Sequence, residues 1–272
     1  MKAAAAELFS LEGRVAVVTG GLGLLGRRHA AALRDAGARV IVADLDGPAC
    51  ERFAEELGGR AMGLAVDVTR PESLRSLCAA VLSACDRVDV LINDAAVDDR
   101  FADAESAARQ GRFEEYPLEL WQRSFDVNVT GTFLTCQVLG SEMARRGRGS
   151  IVNVGSTYGI VAPDQSIYRR ADGSQAFYKS AAYPATKGAV LSLTRYVATY
   201  FAAAGVRCNA LSPGGVENGQ ADWFVESYSR RAPLGRMCRA DELSGAVVFL
   251  ASDASSYMTG ANLVVDGGWT VW

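Results

Sequence analysis

The chain has 272 residues, of which 49% are apolar and 22% are charged, and its formal net charge is −3. This size and composition suit a globular protein with its own core, and an acidic chain offers no basic surface to nucleic acid. No apolar run is long enough to cross a bilayer. We therefore expect a cytoplasmic protein with neither nucleic acid nor membrane as a partner.

Six cysteines are scattered along the chain, at positions 50, 78, 85, 136, 208 and 238, and His29 is the only histidine. Disulfide frameworks and metal sites use closer or paired spacings than these. The sequence therefore predicts reduced thiols, several of them in the core, and no metal site.

The first predicted strand is followed at once by a cluster of glycines. Residues 15–19 form an apolar run with β-branched side chains, which predicts a strand buried on both faces, and residues 27–37 predict a helix. Gly21, Gly23 and Gly26 lie at the junction. Glycines there let the backbone approach a pyrophosphate and aim the helix N-terminus at it, which predicts a dinucleotide site.

A second predicted strand, residues 38–44, ends in a carboxylate. Asp44 lies 18 residues after Gly26, where an acid accepts the ribose hydroxyls of NAD and repels the additional phosphate of NADP. NAD(H) is therefore the favoured cofactor, and a solvated strand end is the alternative for Asp44. NADP(H) stays open because three arginines are close in the sequence, namely Arg27, Arg28 and Arg39.

Strands and helices alternate along the rest of the chain. Strands are predicted at residues 60–68, 88–93, 150–154, 206–211 and 262–266, and helices at 48–57, 71–85, 118–146, 183–204 and 241–251. The polar segment 98–117 is expected to be a loop or short helix near the carboxyl edge of the sheet. This alternation predicts an α/β fold, a single Rossmann domain over residues 1–272. It has a doubly wound parallel sheet of about seven strands with helices on both faces.

Polar residues interrupt or follow several of these elements. Asp67 closes the third strand and either binds an adenine amine or caps the next helix. Asn128 lies within a long helix, where asparagine is unfavourable, so we expect it to have a specific role. Tyr183 and Lys187 share one face of a helix, and a nearby cation lowers the pKa of a phenol toward the range useful for proton transfer.

Taken in chain order, these features resemble the short-chain dehydrogenase/reductase family. The resemblance is carried by residues 19–26 and 93–96, Asn128, Ser156, Tyr183-x-x-x-Lys187, residues 213–214 and Asp266-Gly-Gly268. Within the family, the chain is most similar to bacterial oxidoreductases of sugar modification and secondary metabolism. The resemblance implies an NAD(P)-dependent oxidoreductase that interconverts a secondary alcohol and a ketone on a polar, sugar-like or nucleoside-like molecule. The alternatives are an NAD-retaining sugar epimerase or dehydratase and a non-catalytic dinucleotide sensor.

The resemblance also implies roles for individual residues. Tyr183 is the expected general acid or base, Lys187 lowers its pKa and holds the nicotinamide ribose, and Ser156 polarises the substrate oxygen. Asn128 is expected to hold a water that relays protons to Lys187. The implied cofactor-binding residues are Gly20, Gly21, Leu24, Leu25, Asp44, Asp67, Val68, Asn93, Ala95, Tyr183, Lys187, Pro213, Gly214 and Val216.

The chain departs from the family pattern at three places. Leu24 replaces a common glycine, Asp94 replaces a common asparagine, and the interval from Ser156 to Tyr183 is about twice the usual length. The long interval predicts a flap over residues 160–180 that receives a polar or anionic group, and residues 217–235 are expected to form a lid. A solvated surface flap is the alternative. The candidate substrate residues are Thr157, Tyr158, Tyr168, Arg169, Arg170 and Trp223.

The domain is expected to consist of a cofactor half, about residues 10–155, and a catalytic and substrate half, about residues 156–272. The apolar C-terminus, residues 268–272, is better explained as a tail buried between copies of the chain than as a loose end. We therefore expect a homo-oligomer, either a tetramer or a dimer.

Overall fold

The structure, a computed structural model, describes residues 5–99 and 109–272. One sheet of seven parallel strands runs through it in the order β3-β2-β1-β4-β5-β6-β7. The strands are β1 (Val15–Thr19), β2 (Arg39–Asp44), β3 (Met62–Ala65), β4 (Val90–Asn93), β5 (Gly149–Val154), β6 (Val206–Pro213) and β7 (Asn262–Val265). The predicted α/β fold with a doubly wound parallel sheet is confirmed. The predicted loop at 98–117 lies partly outside the described residues.

Apart from a short N-terminal helix, the helices follow the predicted alternation with one addition. They are α1 (Ala5–Leu8), α2 (Leu24–Asp35), α3 (Gly47–Leu57), α4 (Pro71–Cys85), α5 (Leu118–Phe125), α6 (Thr132–Thr135), α7 (Ser141–Arg145), α8 (Ala182–Phe201), α9 (Asp222–Arg231) and α10 (Ser244–Ala251). Two π-helical turns, Asp126–Gly131 and Cys136–Gly140, join α5, α6 and α7 into the long helical run that the sequence predicts. The addition is α9, which lies in the segment predicted as a lid.

The sheet is covered by helices on both faces because its central strands are mostly apolar and are buried along their whole length. Every residue of β1, β4 and β5 is buried. Helix α4, the long helical run and α8 pack on one face, where Leu77, Leu139 and Val197 are buried. Helices α2, α3 and α10 pack on the other face, where Leu33 and Leu250 are fully buried. No helix in the described ranges is long and apolar enough to span a membrane.

All six cysteines are free thiols, as the sequence predicts, and four of them are buried. Cys136 and Cys208 both lie beside the side chain of Asn153 in the core. Burial raises the pKa of the Cys136 thiol to about 12, so this side chain stays uncharged at neutral pH.

The order of the sheet reverses at β1, which pairs with β2 on one side and with β4 on the other. In open α/β sheets, the carboxyl ends of the strands at such a reversal leave a crevice between the loops that run in opposite directions. The site therefore lies above β1 and β4.

Candidate active site

A cleft with a volume of about 770 Å³ opens at this edge of the sheet. Its walls come from the segments that follow four strands, namely Gly20–Gly26 after β1, Asp94–Asp99 after β4, Gly155–Tyr158 after β5 and Pro213–Val216 after β6. A volume of this size is typical of sites for small molecules and cofactors. A second cavity, of about 480 Å³, lies beside the ends of β2 and β3.

The glycine loop at one end of the cleft has no room for side chains at two positions. A Cβ on Gly20, whose φ is +67°, would lie 2.6 Å from the Cα of Ala95. A Cβ on Gly26 would lie 2.1 Å from the carbonyl oxygen of Gly20. Helix α2 begins directly at Leu24, and its first residues line the cleft. A backbone cradle ahead of a helix N-terminus fits the diphosphate of a dinucleotide.

Leu24, which replaces a common glycine, does not disturb this loop. It is the first residue of α2, and its side chain is 41% exposed at the cleft wall. Gly23, which precedes it, is the less constrained glycine, because a Cβ there would meet only the Gly20 carbonyl oxygen, at 3.2 Å. The close packing of the loop therefore depends on Gly20 and Gly26.

Asp44 ends β2 with its carboxylate attached to the glycine loop. Oδ2 accepts a hydrogen bond from the Leu22 amide at 3.0 Å, and Oδ1 accepts one from the Leu45 amide at 2.8 Å. Each oxygen has a further lone pair that could accept from a ribose hydroxyl.

The three arginines near Asp44 in the sequence are not equally close in space. Arg39 begins β2, at the opposite edge of the sheet, and its guanidinium donates to the carbonyl oxygens of Arg60 and Ala84. Arg27 remains near the loop, because its Nε donates to the Leu22 carbonyl oxygen at 3.1 Å. A phosphate on the cofactor ribose could therefore meet Arg27 and not Arg39.

Asp67 and Val68 adjoin the second cavity instead of the main cleft. Asp67 lines that cavity, and its Oδ1 accepts hydrogen bonds from the amide and the hydroxyl of Thr69. These bonds close a turn ahead of α4, whose N-cap is Arg70, so Asp67 does not cap that helix. Val68 is 7% exposed, and a Cβ on Gly131 would lie 2.7 Å from its Cγ2. The side chain of Val68 is therefore closed to a ligand.

Asn93 and Ala95 support the cleft from below. The Asn93 side chain is buried and donates from Nδ2 to Oδ1 of Asn153 at 2.8 Å, which ties β4 to β5. Its side chain is thus engaged within the sheet, and contact of the Asn93 backbone with the cofactor stays a prediction. Ala95 packs against Gly20, where its backbone occupies the space that a side chain would need.

The structure brings Ser156, Tyr183 and Lys187 together in the cleft. Ser156 follows β5, and its hydroxyl lies near that of Tyr183, which is in the first turn of α8. Lys187, one turn further on, is 4% exposed, and its Nζ donates to the Val154 carbonyl oxygen at 2.8 Å. The Lys187 ammonium lies 5.7 Å from the centroid of the Tyr183 ring.

The expected lowering of the Tyr183 pKa by Lys187 is not found. Removal from water raises the pKa of Tyr183, the Asp98 carboxylate raises it further, and the nearby Ser156 hydroxyl lowers it. Burial also lowers the pKa of Lys187 to about 8. The desolvated ammonium is held by a backbone carbonyl, so it does not outweigh the effect of burial on the phenol.

Asn128 lies in a π-helical turn and is 1% exposed. Its side chain accepts from the Val97 amide at 2.7 Å and donates to the Val97 carbonyl at 2.9 Å and to Oγ1 of Thr186 at 3.1 Å. It thereby ties the segment after β4 to α8, between Tyr183 and Lys187. Both of its N–H donors are used, so a water held by the side chain must donate to it, and that role stays a prediction.

Asp94, which replaces a common asparagine, is paired with the only histidine of the chain. Nδ1 of His29 lies 3.2 Å from Oδ2 of Asp94, and the two side chains are 0% and 7% exposed. The pair joins α2 to the segment after β4. The Asp94 charge also raises the pKa values of Tyr183 and Lys187.

At the other end of the cleft, three of the six candidate substrate residues line the wall, namely Thr157, Tyr158 and Tyr168. The hydroxyls of Tyr158 and Tyr168 lie 3.0 Å apart. Trp223 is not part of the lining, whereas Phe224 and Tyr228 are. Residues four apart share a helix face, and the residue before them points about 100° away, which explains why Trp223 is not brought to the cleft.

Arg169 and Arg170 do not form the predicted wall of the cleft. Arg169 and Gln175 form an antiparallel bridge, and the Arg170 amide donates to the Ser174 carbonyl oxygen at 2.9 Å, so the chain turns back on itself here. Both arginines are exposed and neither lines the cleft. The hairpin places them in solvent at its tip, which corrects the prediction that they receive a substrate group.

The cleft also contains two charged residues that are not predicted from the sequence, Lys179 and Asp98. They form an ion pair in the cleft lining, and Nζ of Lys179 lies 4.3 Å from the centroid of the Tyr183 ring. One signal was available, because only three of the 28 basic residues are lysines, namely Lys2, Lys179 and Lys187.

The C-terminus behaves only partly as expected. Trp269 is 2% exposed and stacks on Tyr228 of the same chain, with ring centroids 4.1 Å apart. It therefore needs no partner subunit to be buried. Val271 and Trp272 are 71% and 72% exposed. Within the C-terminal tail, only these last residues are therefore available for the expected interface between copies of the chain.

Comparison with known proteins places the chain in a family. A family model described as Enoyl-(Acyl carrier protein) reductase matches residues 23–270. D-threitol dehydrogenase of Mycolicibacterium smegmatis is 35% identical over 271 residues, which cover 97% of this chain and 95% of that protein. The 3-alpha-(or 20-beta)-hydroxysteroid dehydrogenase of Mycobacterium tuberculosis is 36% identical over 258 residues, which cover 95% and 90%.

A solved structure extends the likeness to three dimensions. A gluconate 5-dehydrogenase from Burkholderia cenocepacia, in complex with NADP and tartrate, matches with a TM-score of 0.85 and 29% identity over 99% of this chain and 100% of that one. A bound nicotinamide dinucleotide supplies the hydride donor or acceptor in such enzymes, and the glycine loop and Asp44 fit one. The chain belongs to the short-chain dehydrogenase/reductase family and is an NAD(P)-dependent oxidoreductase that interconverts alcohols and ketones.

Proposed function

We propose that this oxidoreductase acts on a small polyhydroxylated alcohol and uses NAD. The observation that carries the proposal is the polar lining around Tyr183, which consists of the Lys179–Asp98 ion pair and the hydroxyls of Tyr158 and Tyr168. The relatives act, by name, on substrates as different as threitol and hydroxysteroids. A steroid would cover these groups without hydrogen-bonding to them, which is costly, whereas a polyol can satisfy them.

In the proposed reaction Tyr183 exchanges a proton with the substrate oxygen at its Oη, and Ser156 orients that oxygen. The raised pKa of Tyr183 keeps the phenol protonated at neutral pH, which is the form that donates a proton during ketone reduction. Alcohol oxidation requires the phenolate and is therefore expected to speed up as the pH rises. Lys187 ties α8 to the end of β5, and Asn128 ties α8 to the loop after β4, so that these elements are held around the phenol.

Three finer features belong to the same proposal. The preference for NAD is supported by the Asp44 carboxylate beside the glycine loop. A homo-oligomer is supported by the stacked aromatic pair Tyr196 and Tyr200, which are 63% and 67% exposed on α8, and by the exposed tail. We also propose that the protein works in the cytoplasm. A monomer by light scattering would contradict the oligomer.

The test is NADH formation from a panel of alcohols by the purified protein. The panel contains D-threitol, galactitol, D-glucitol and a 3α-hydroxysteroid, with NAD in excess. We expect kcat/KM for the best polyhydroxylated substrate to exceed that for the steroid by about 100-fold or more, because unpaired polar groups penalise the apolar substrate. A steroid preferred over every polyhydroxylated compound would overturn the proposal.

A further inference from the structure

We propose that Lys179 selects the substrate of this cleft by binding a carboxylate, so that polyhydroxy acids are preferred to the corresponding neutral polyols. This inference rests on the proposed function and names the class of its substrate. It follows from the different ways in which the two members of the Lys179–Asp98 pair are held.

Lys179 is fixed in place by the flap. Its amide donates to Oε1 of Gln165 at 2.9 Å, and its carbonyl oxygen accepts from Nε2 of the same side chain at 2.9 Å. Gln175 supports this clamp by donating to the Gln165 carbonyl oxygen at 2.9 Å. The Lys179 side chain is only 15% exposed, and its ammonium lies 4.3 Å from the Tyr183 ring centroid. The flap therefore holds a preorganised cation beside the phenol that exchanges the proton with the substrate oxygen.

Asp98 is held much less firmly. Its side chain is 47% exposed, and Lys179 is its only ion-pair partner among the residues that the structure describes. Its one other polar contact there is an exposed hydrogen bond that Oδ1 accepts from the neighbouring Asp99 amide at 3.0 Å. A carboxylate that is half in water can return to water at little cost, whereas a largely buried ammonium cannot be left without a counter-ion. Asp98 is thus the exchangeable member of the pair.

A substrate carboxylate can take the place of Asp98 on Lys179 and keep that ammonium paired with a negative charge while Asp98 returns to water. The incoming group then forms a charge-assisted hydrogen bond with an ammonium that is already in position. A neutral hydroxyl cannot displace Asp98 in this way, because it brings no charge to pair with Lys179. The geometry therefore favours an acid whose carbinol carbon reaches Tyr183 while its carboxylate reaches Lys179.

Lysine is also used selectively in this chain. Lys179 and Lys187 are the two lysines within residues 5–99 and 109–272, and both line the cleft. Elsewhere the chain uses arginine, including at the exposed tip of the flap. A compact ammonium suits a small site shared with a substrate carboxylate better than a guanidinium, which is broader and forms a rigid fork.

The test compares each acid with its matched polyol in the wild type and two variants. The pairs are D-gluconate with D-glucitol, D-galactonate with galactitol and L-threonate with L-threitol, assayed by NADH formation. In the wild type we expect kcat/KM for the best acid to exceed that for its polyol by about tenfold or more. Lys179→Gln should remove this preference, mainly by raising KM for the acid, and Lys179→Arg should restore part of it.

Asp98→Asn should act in the opposite direction, which separates substrate binding from a merely structural ion pair. Loss of the competing carboxylate should lower KM for the acid several-fold. Arg75→Gln, which removes the cation of an exposed ion pair with Glu72 on α4, is the matched control and should change neither KM. NADH titration of each variant checks that the cofactor site is intact.

Three outcomes would overturn the inference. They are a wild type that prefers the polyols, a Lys179→Gln variant that weakens acid and polyol equally, and an Asp98→Asn variant that impairs both. The first leaves the proposed function intact. If neither class is oxidised, the proposed function fails, and calorimetry of D-gluconate and D-glucitol with the NADH-bound protein decides the inference alone. Selective binding of gluconate that Lys179→Gln abolishes supports the inference, and its absence overturns it.

Discussion

The two ends of the cleft differ in the atoms that form them, which are mainly main-chain atoms at the cofactor end and side-chain atoms at the substrate end. At the cofactor end, contacts between main-chain atoms fix the site, as where a Cβ on Gly26 would overlap the Gly20 carbonyl. At the substrate end, side chains from distant segments meet, as in the pairs Lys179–Asp98 and Tyr158–Tyr168. A site formed by main-chain atoms binds one common ligand, and few substitutions in it are tolerated. A site made of side chains on a flap can change its specificity without disturbing the fold.

The largest effect is expected at the phenol, where the two ends meet. Tyr183→Phe removes the hydroxyl that exchanges the proton and should lower kcat by about 10³-fold, within the range for loss of a general acid or base. NADH binding, followed by fluorescence titration, should stay within about twofold of the wild type, because the ring remains. Activity above about a tenth of the wild-type value would mean that another group handles the proton.

Lys187 offers a test that does not require a substrate. Its pKa is depressed from 10.5 to about 8 in the folded protein, so between these values the unfolded chain binds a proton that the folded one does not. The free energy of unfolding should therefore rise with pH from about 8 to 10.5, by up to about 3 kcal/mol from this residue.

Urea unfolding of the wild type and of Lys187→Met across this range isolates the contribution. Cysteine and tyrosine pKa values raised by burial act in the opposite direction, but they are common to both proteins and cancel in the comparison. We expect the free energy of unfolding of the wild type to increase relative to that of the variant as the pH rises. If the free energies of unfolding of the two proteins change with pH in parallel, the Lys187 ammonium is not desolvated, which would contradict the structure.

Two glycines of the same loop test whether the cofactor end tolerates an added side-chain atom. Gly26→Ala should weaken NADH binding by about 2 kcal/mol, roughly 30-fold in Kd, because its Cβ would lie 2.1 Å from a backbone oxygen. Gly23→Ala, where the nearest atom is 3.2 Å away, is the control and should have a much smaller effect. If the two variants lose NADH affinity equally, the cofactor end of the cleft does not depend on close main-chain contacts in the way described.

The smallest expected effect concerns the choice between NAD and NADP. Asp44→Asn keeps the acceptor for the Leu22 amide but removes the negative charge. The ratio of NADPH to NADH dissociation constants should fall by about tenfold, because repulsion of the ribose phosphate is lost. Parallel fluorescence titrations measure it, and Arg39→Gln is the control, since Arg39 lies at the far edge of the sheet. An unchanged ratio would show that Asp44 does not discriminate.

The sequence predicts most of the fold because the central strands are buried on both faces and therefore appear as continuous apolar runs. The prediction is weaker at the edge of the sheet, where β3 covers only Met62–Ala65 of the expected 60–68, since it pairs with β2 alone along four residues. Helix α9 was missed because Tyr228 is its only buried residue, so it shows little apolar periodicity. The π-helical turns around Asn128 leave no pattern in the sequence.

The residues of the site also differ in how well the sequence predicts them. Tyr183 and Lys187 are found from their spacing because one helix carries both. Lys179 cannot be found in this way, since the clamp by Gln165, fourteen residues earlier, determines where it lies. Arg169 and Arg170 were misplaced because the hairpin turn directs them outward, which their charge does not reveal.

The most direct test of the assigned chemistry follows a deuterium label from substrate to cofactor. The best-oxidised alcohol of the panel, deuterated at its carbinol carbon, is incubated with the wild type and NAD, and the released NADH is analysed by mass spectrometry. An alcohol–ketone oxidoreductase transfers the label to NADH, one deuterium for each ketone formed, and Tyr183→Phe stops the transfer. Unlabelled NAD recovered with an epimerised or dehydrated product would contradict that chemistry and identify an enzyme that retains its cofactor.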